Sequence, residues 1–349
     1  MAVGQGGLFS GLSYMAFGRE TTYGTYVTAT AGLEFISSSI HMLKENKILE
    51  QIEHSRTYTK RISLSRTIEG DVEFYVLPKN TTTGWLLQNA FGGTVTTATS
   101  TGETVGGGAL THTFLVGSMD QAYKSFTINI RKGPSTTGKV FEYTGCRINE
   151  INFTAEIDEP LKASISIMGK DSTASTQDVE AQLTTVAISP LSFENGRISV
   201  ETTFASLTTS SFWHVQSAEF GLSNSLKGDT ESRRIGTDTL DILPPGIASF
   251  TLNLTMRFDT TTAYAAMVAA TQLAVELEFL GPTMSGSAIR EGVKFQYPKC
   301  FISEAGDPEI GGPDEVITSN VVLHVLRDDS SATGYAMRAL LTNNVTAYT

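Results

Sequence analysis

The feature that most constrains what this chain can fold into is a ten-residue segment that occurs twice. Phe141, Tyr143, Cys146, Ile148 and Glu150 recur at the same spacing as Phe295, Tyr297, Cys300, Ile302 and Glu304, five identities in ten positions. The flanking segments follow in the same order, which marks a tandem duplication of one unit. Upstream, Asn80-Thr81-Thr82-Thr83 stands against Asp259-Thr260-Thr261-Thr262. Asn and Asp side chains both accept from the free amides of a helix's first turn, so each copy is predicted to carry one short helix capped there. The alternating run Phe126, Ile128, Ile130 is laid over Val275, Leu277, Phe279, and residues 163–167 over 321–325, each of the latter leading to an Asp-Ser pair. The predicted order is strand, helix, strand, strand, strand, twice. The strands before the helices, from Val72 and from Leu252, align about one residue out of step, a slip that a β-bulge absorbs. The first copy alone carries an insert, residues 92–117, whose Gly and Thr content predicts a flexible loop.

Apolar residues alternate with polar ones along Ile62-Ser63-Leu64, Val72-Glu73-Phe74 and Leu252-Asn253-Leu254, the signature of strands with one buried face. Only 17% of residues are charged, against roughly 25% in an average domain, so the surface is made mostly of neutral polar groups that suit strands. The expected class is all-β: two tandem sandwich or barrel domains, each with one flanking helix. At 349 residues the chain is long enough for two cores. The expected division is an N-terminal arm at 1–30, a first domain at 31–175 and a second at 176–349. The polar stretch from Asp171 to Asp178 reads as the linker, and the apolar residues of the arm, among them Leu8, Tyr14, Met15 and Phe17, predict a segment that orders on assembly.

Charge is unevenly placed. Residues 1–171 carry 15 basic and 16 acidic side chains, residues 172–349 carry 10 and 20, so nearly all of the net charge of −11 lies in the second half. An acidic surface argues against wrapping nucleic acid, which draws on Lys and Arg. No apolar run is long enough for a membrane span, and the start lacks the order of a signal peptide, so folding in a cytoplasm and no membrane binding are expected.

Reactive chemistry is not predicted. Cys146 and Cys300 hold the same place in the two copies, between an aromatic residue and an isoleucine, as buried core thiols do. The five histidines show no metal-ligand spacing, and His324 is expected on a solvent-facing side of its strand. The glycine-rich start, residues 4–11, has no preceding strand and no Gly-Lys-Ser/Thr, so it is not a phosphate loop. The acidic group from Asp307 to Glu315 fits no calcium-loop spacing and reads as a solvated turn. Neither an enzyme nor a cofactor is expected.

Gly18-Arg19-Glu20-Thr21-Thr22-Tyr23-Gly24-Thr25 resembles the N-terminal signature of phage tail tube proteins. With the duplicated β body, the resemblance covers nearly the whole chain and points to the two-domain branch of that family. It implies a self-assembling subunit of the virion tail, built in the host cytoplasm, whose trimeric rings imitate six single-domain subunits and stack into a tube. DNA would pass through the lumen without specific binding, and a tape measure protein and tail completion proteins would be the other partners. Glu276 and Glu278, on the polar face of their strand, are candidates for the lumen lining. Residues 43–67 lie where the family carries a long inter-ring loop; they are locally +3, and Lys60, Arg61 and Arg66 are the contact candidates. Alternatives are a head decoration or tail terminator subunit, or a carbohydrate-binding or glycosidase β-sandwich, which needs exposed Trp and, for catalysis, a carboxylate pair.

Overall fold

The computed structural model describes residues 10–101, 108–117, 124–134, 138–175, 177–183, 190–207, 213–305, 316–329 and 334–348. The residues 4–9 of the glycine-rich start and the acidic group Asp307 to Glu315 lie outside them. The first half holds strands β1 (Tyr14–Glu20), β2 (Ala31–Leu33), β3 (Ser37–Ser38), β4 (His41–Ile48) and β5 (Arg61–Tyr75), then helix α1 (Thr81–Phe91). There follow β6 (Gly92–Thr99), β7 (Leu110–Val116), β8 (Ser125–Lys132), β9 (Lys139–Glu156), β10 (Lys162–Gly169) and β11 (Asp171–Ser175). The second half holds β12 (Gly196–Glu201), β13 (Val215–Ser223), β14 (Ser249–Arg257), helix α2 (Thr262–Val268), β15 (Leu273–Thr283), β16 (Arg290–Ala305), β17 (Thr318–Val325) and β18 (Arg338–Asn343). The fold is all-β, with one short α-helix per copy among the described residues.

Strand pairing shows the duplication directly. In the first copy the ladders run β1-β8-β9-β10-β5, with β11 beside the first half of β9. In the second they run β12-β15-β16-β17-β14, with β18 beside the first half of β16. Both copies break register at the repeated segment: Phe126 and Ile128 face Cys146 and Tyr143, as Leu273 and Val275 face Cys300 and Tyr297. The extra residue bends the long strand, so that β9 serves one sheet with its first half and another with its second. Gly145, in the bulge, sits at φ 65°, a left-handed conformation that a side chain resists.

Tertiary structure corrects five expectations. The partner of Phe126 is Leu273, not Val275, and that of Ile165 is Val321; both slips are of two residues, which leaves the apolar face unchanged and so escapes a period-2 pattern. Tyr14–Glu20 is no arm awaiting assembly: it is a buried strand pairing β8 in the place that β12 takes beside β15. The insert at 92–117 contributes the strands of a β-hairpin, β6 and β7, since alternating Thr, Val and Phe pair as readily as they loop. Asp171–Ser175 is a strand on β9 and not a linker. Finally, Asn80 caps α1 through Thr82 N, but α2 begins at Thr262 with no side-chain cap, because Asp259 is drawn to Nδ1 of His214 at 2.8 Å.

The halves interlock. β13 pairs with β14 on one side and with β9 of the first copy on the other, and β18 pairs with both β16 and β7. Their apolar residues form one contiguous cluster in which Phe153 and Phe220 stack at 5.4 Å and Phe295 packs on both. The chain's end closes on the other half too. Tyr348, 2% exposed, lies against α1 where a Cβ on Gly84 would stand only 2.1 Å from its ring, and its OH accepts from Asn343 at 2.7 Å.

Candidate self-association surfaces

The conserved geometry of the repeat locates the polar groups, and the first of these is Glu20. Its carboxylate, 4% exposed, accepts from Ser125 Oγ at 2.6 Å, Thr127 Oγ1 at 3.0 Å, and the amides of Gly24 and Gly145 at 2.8 Å each. Three of those four donors come from β8 and the bulge of β9. The next motif residue, Tyr23, lies against the Arg147 guanidinium and Lys170 ammonium, 5.1 and 5.4 Å from its ring centre, and packs with Leu226, Leu240 and Leu243 of the second half. The motif therefore anchors β1 to the bulge and the first copy to the second, and so builds the fold.

The cysteines are core residues as read from sequence. Both are free and buried, and burial pushes the Cys300 thiol up to about 12 and that of Cys146 well above its ordinary value, so neither supplies a thiolate near neutral pH. His324 is exposed. His112, which the sequence left without a role, is fully buried: Nδ1 meets Thr97 Oγ1 at 2.9 Å, Nε2 meets Asn343 Oδ1 at 3.1 Å, and its ring meets Tyr348 edge-on. Burial holds its pKa below the usual value. Among the described residues no group of three or more His, Cys, Asp or Glu is placed to hold a metal ion. No helix among them is long and apolar enough to cross a membrane.

The named surface candidates are placed as follows. Glu276 and Glu278 form a four-charge cluster with Arg197 and Lys294, at 2.8 to 3.3 Å, and their side chains are 11% and 16% exposed. Gln296 donates a further bond to Glu276 at 2.6 Å. At the position equivalent to Glu278 the first copy has Arg131, clasped by Asp178 and Glu180 with the charges reversed. Lys60, Arg61 and Arg66 do not act as one group. Arg66 is held within the chain by Asp171 at 3.1 Å and Asp238 at 3.2 Å, and Lys60 pairs with Glu53 at 3.3 Å. Arg61 is exposed.

What sequence reasoning missed around these cations is apolar. β4 and the start of β5 form a ribbon exposed along all of β4, with Met42, Leu43, Ile48, Ile62 and Leu64 each at least 38% exposed and Ile52 and Tyr58 bare at its tip. Exposed apolar side chains on both faces of one ribbon, Ile48 opposite Arg61 and Ile62 opposite Lys47, are surface that a contact would bury. The alternation in Ile62-Ser63-Leu64 was the visible signal, but period 2 does not say which face meets a core. A separate cleft of about 400 Å³ is lined by Phe193, Ile198, Trp213 and Phe279, with Glu156 as its one described carboxylate, short of the pair that glycoside hydrolysis uses.

The structure is thus an interlocked, duplicated β fold with an exposed two-stranded ribbon that carries apolar side chains. The sequence pattern of the phage tail tube protein family matches residues 12–325. The chain belongs to that family and is a structural component of the virion tail that self-associates into a tube. No curated protein matches it.

Proposed function

We propose that this chain is a ring-forming subunit whose rings, three chains imitating six domains, stack into a hollow tube that carries DNA into the host. The carrying observation is the strand-for-strand equivalence of the two copies, since two like units in one chain halve the number of chains that a sixfold wall requires. The boundary near residue 175 divides the repeats, although their core is continuous. Stacking engages the β4–β5 ribbon: its apolar faces supply the buried area, while Lys60 and Arg61 near its tip steer it to the acidic second half of a subunit in the next ring. Arg66 instead braces the ribbon's base. Glu276 and Glu278 line the channel as a cluster neutralised by Arg197 and Lys294, which offers DNA no cationic grip. Assembly takes place in the host cytoplasm around a tape measure protein, with completion proteins closing the tube's end. Negative-stain electron microscopy of the purified chain tests this: rings or hollow tubes are expected, and a monodisperse monomer at high concentration under every seeding condition refutes it.

A further inference from the structure

The two copies build one connection in two different ways. Val72 and Leu254 are equivalent, because they face the equivalent residues Ile165 and Val321. Ser38 stands opposite Val72 and Met42 opposite Ile68, as Ala218 stands opposite Leu254 and Leu222 opposite Phe250. Residues 36–43 are thus the first copy's version of β13, and the pair Leu43 and Thr67 corresponds to the pair Ser223 and Ser249. Residues 44–66 and 224–248 are therefore equivalent connectors between equivalent strands. The first runs out as the β4–β5 ribbon. The second contains no strand; it folds around a 3-10 turn (Thr230–Ser232) and packs against the first copy.

That second connector is closed on itself and fixed to the body. Asp229 Oδ1 accepts from the Glu231 amide at 3.2 Å, the Ser232 carbonyl from the Asp241 amide at 2.9 Å, and the Pro244 carbonyl from the Lys227 amide at 2.9 Å. Leu240 and Leu243 are buried with Leu226 against Tyr23 and Met168, and Asn224 donates to the carbonyls of Ala90 and Ile148 at 2.8 and 3.0 Å. The connector meets the ribbon at Arg66, just past Ile68, where the cover of β10 on β5 ends. There the Arg66 amide donates to the Asp238 carbonyl at 2.8 Å, and the Arg66 carbonyl accepts from the Arg233 guanidinium at 3.4 Å. The Arg66 guanidinium pairs with Asp238 at 3.2 Å and with Asp171 of β11 at 3.1 Å. Arg233 also donates to the Asp238 carbonyl at 3.2 Å, so the three residues form one clasp.

A two-stranded ribbon alone is marginally stable and free to swing at its root. With β4 on one edge of β5 and the clasp on the other, the root of this ribbon is held from both sides. We propose that the second copy's connector is a brace that fixes the direction of the first copy's ribbon, with Arg66, Asp238 and Arg233 as its positioning residues. The duplication thereby yields one projecting arm per chain together with its support, in place of two arms. The inference rests on the reading that the ribbon engages the next ring, and adds to it how the ribbon is aimed. An arm aimed in advance loses less freedom on docking, which strengthens the contact.

Spin labels at Ile48→Cys in the ribbon and Val268→Cys on α2 read the ribbon's direction in the dilute, unassembled chain. Both positions are exposed, whereas Cys146 and Cys300 are buried and shielded from the label. One narrow distribution of label separations is expected, and the added changes Arg233→Ala and Asp238→Ala should lose that single peak. Asp238→Glu, which keeps the charge, should retain it. A distribution as narrow without the clasp as with it overturns the brace, as does a broad one in the labelled chain with the clasp intact. Hydrogen exchange on the unmodified, unassembled chain is the second measurement and needs no variant: the Arg66 amide exchanges slowly, and exchange at the rate of an open strand edge refutes the brace. In assembly, Arg233→Ala with Asp238→Ala should still give rings but lose long tubes; tubes of normal length overturn the role of aiming in stacking. An unmodified chain that gives neither rings nor tubes overturns the tube reading, while the label separations still decide the brace.

Discussion

At the scale of single residues, Glu20 shows how a recognisable motif can serve the fold without being a site of chemistry. One buried carboxylate satisfies two hydroxyls and two amides, three of these donors themselves buried. Removing it in Glu20→Ala leaves those donors unpaired, and a loss of roughly 3 kcal/mol in urea unfolding is expected; a loss below about 1 kcal/mol would show that the motif acts elsewhere. His112 gives a pH dependence. Its folded pKa is depressed by burial, so the unfolded chain takes the proton first, and the contribution is complete above the ordinary value of about 6.5 and declines as pH falls below it. Midpoints of denaturation between pH 7 and 5 should fall less steeply for His112→Gln than for the unmodified chain; parallel slopes would remove the imidazole from the account. Glu276 and Glu278 were recognisable from sequence as charges on a polar strand face, and Lys60, Arg61 and Arg66 as charges of a basic loop. Their partners were not, because Arg66 meets Asp238 and Glu278 meets Arg197 only when segments far apart in the chain are brought side by side.

At the scale of elements, the two helices separate what a local pattern determines from what it does not. Asn80 and Asp259 precede the same run of threonines, and only Asn80 became a cap. Its side chain is buried beside Gly32, whereas the Asp259 carboxylate is taken up by Nδ1 of His214 at 2.8 Å and by the Arg257 guanidinium at 3.7 Å. Asn80→Ala should therefore cost about 1 kcal/mol. Thr261→Ala, at a cap position whose side chain makes no capping hydrogen bond, should stay within about 0.5 kcal/mol. Chemical denaturation of the two variants side by side checks the contrast, and equal losses contradict it. The bulge is the other lesson at this scale. It recurs in both copies at the aromatic-cysteine segment, with Gly145 in one and Pro298-Lys299 in the other, so what the duplication preserved was the offset in the ladder and not a particular turn residue. Even shifts preserve a two-residue period, which is why the sequence alignment of β8 with β15 kept the right face and missed the right partner.

At the scale of the whole molecule, the copies are two in sequence and one in packing. β13 and β18 cross between them, and the cluster around Phe153, Phe220 and Phe295 belongs to neither alone. Calorimetry should accordingly show a single cooperative transition for the full chain, and residues 1–175 expressed alone should fail to give a folded, dispersed spectrum; two resolved transitions would make the copies independent. Sequence alone determined that this is a duplicated all-β protein, that its thiols are buried, that each copy carries one helix and that the family is that of phage tail tubes. Those properties live in composition, period and repeat order, which a chain carries before it folds. Tertiary structure decided the register of the repeat, the burial of β1, the insert's fate as a hairpin pairing the other copy, and the difference between β13, which pairs with β9 and β14, and its counterpart at 36–43, which among the described residues pairs with β5 alone. These depend on which strand edges meet, and a backbone amide or carbonyl reads the same along every segment of the chain, so only the folded arrangement selects its partner.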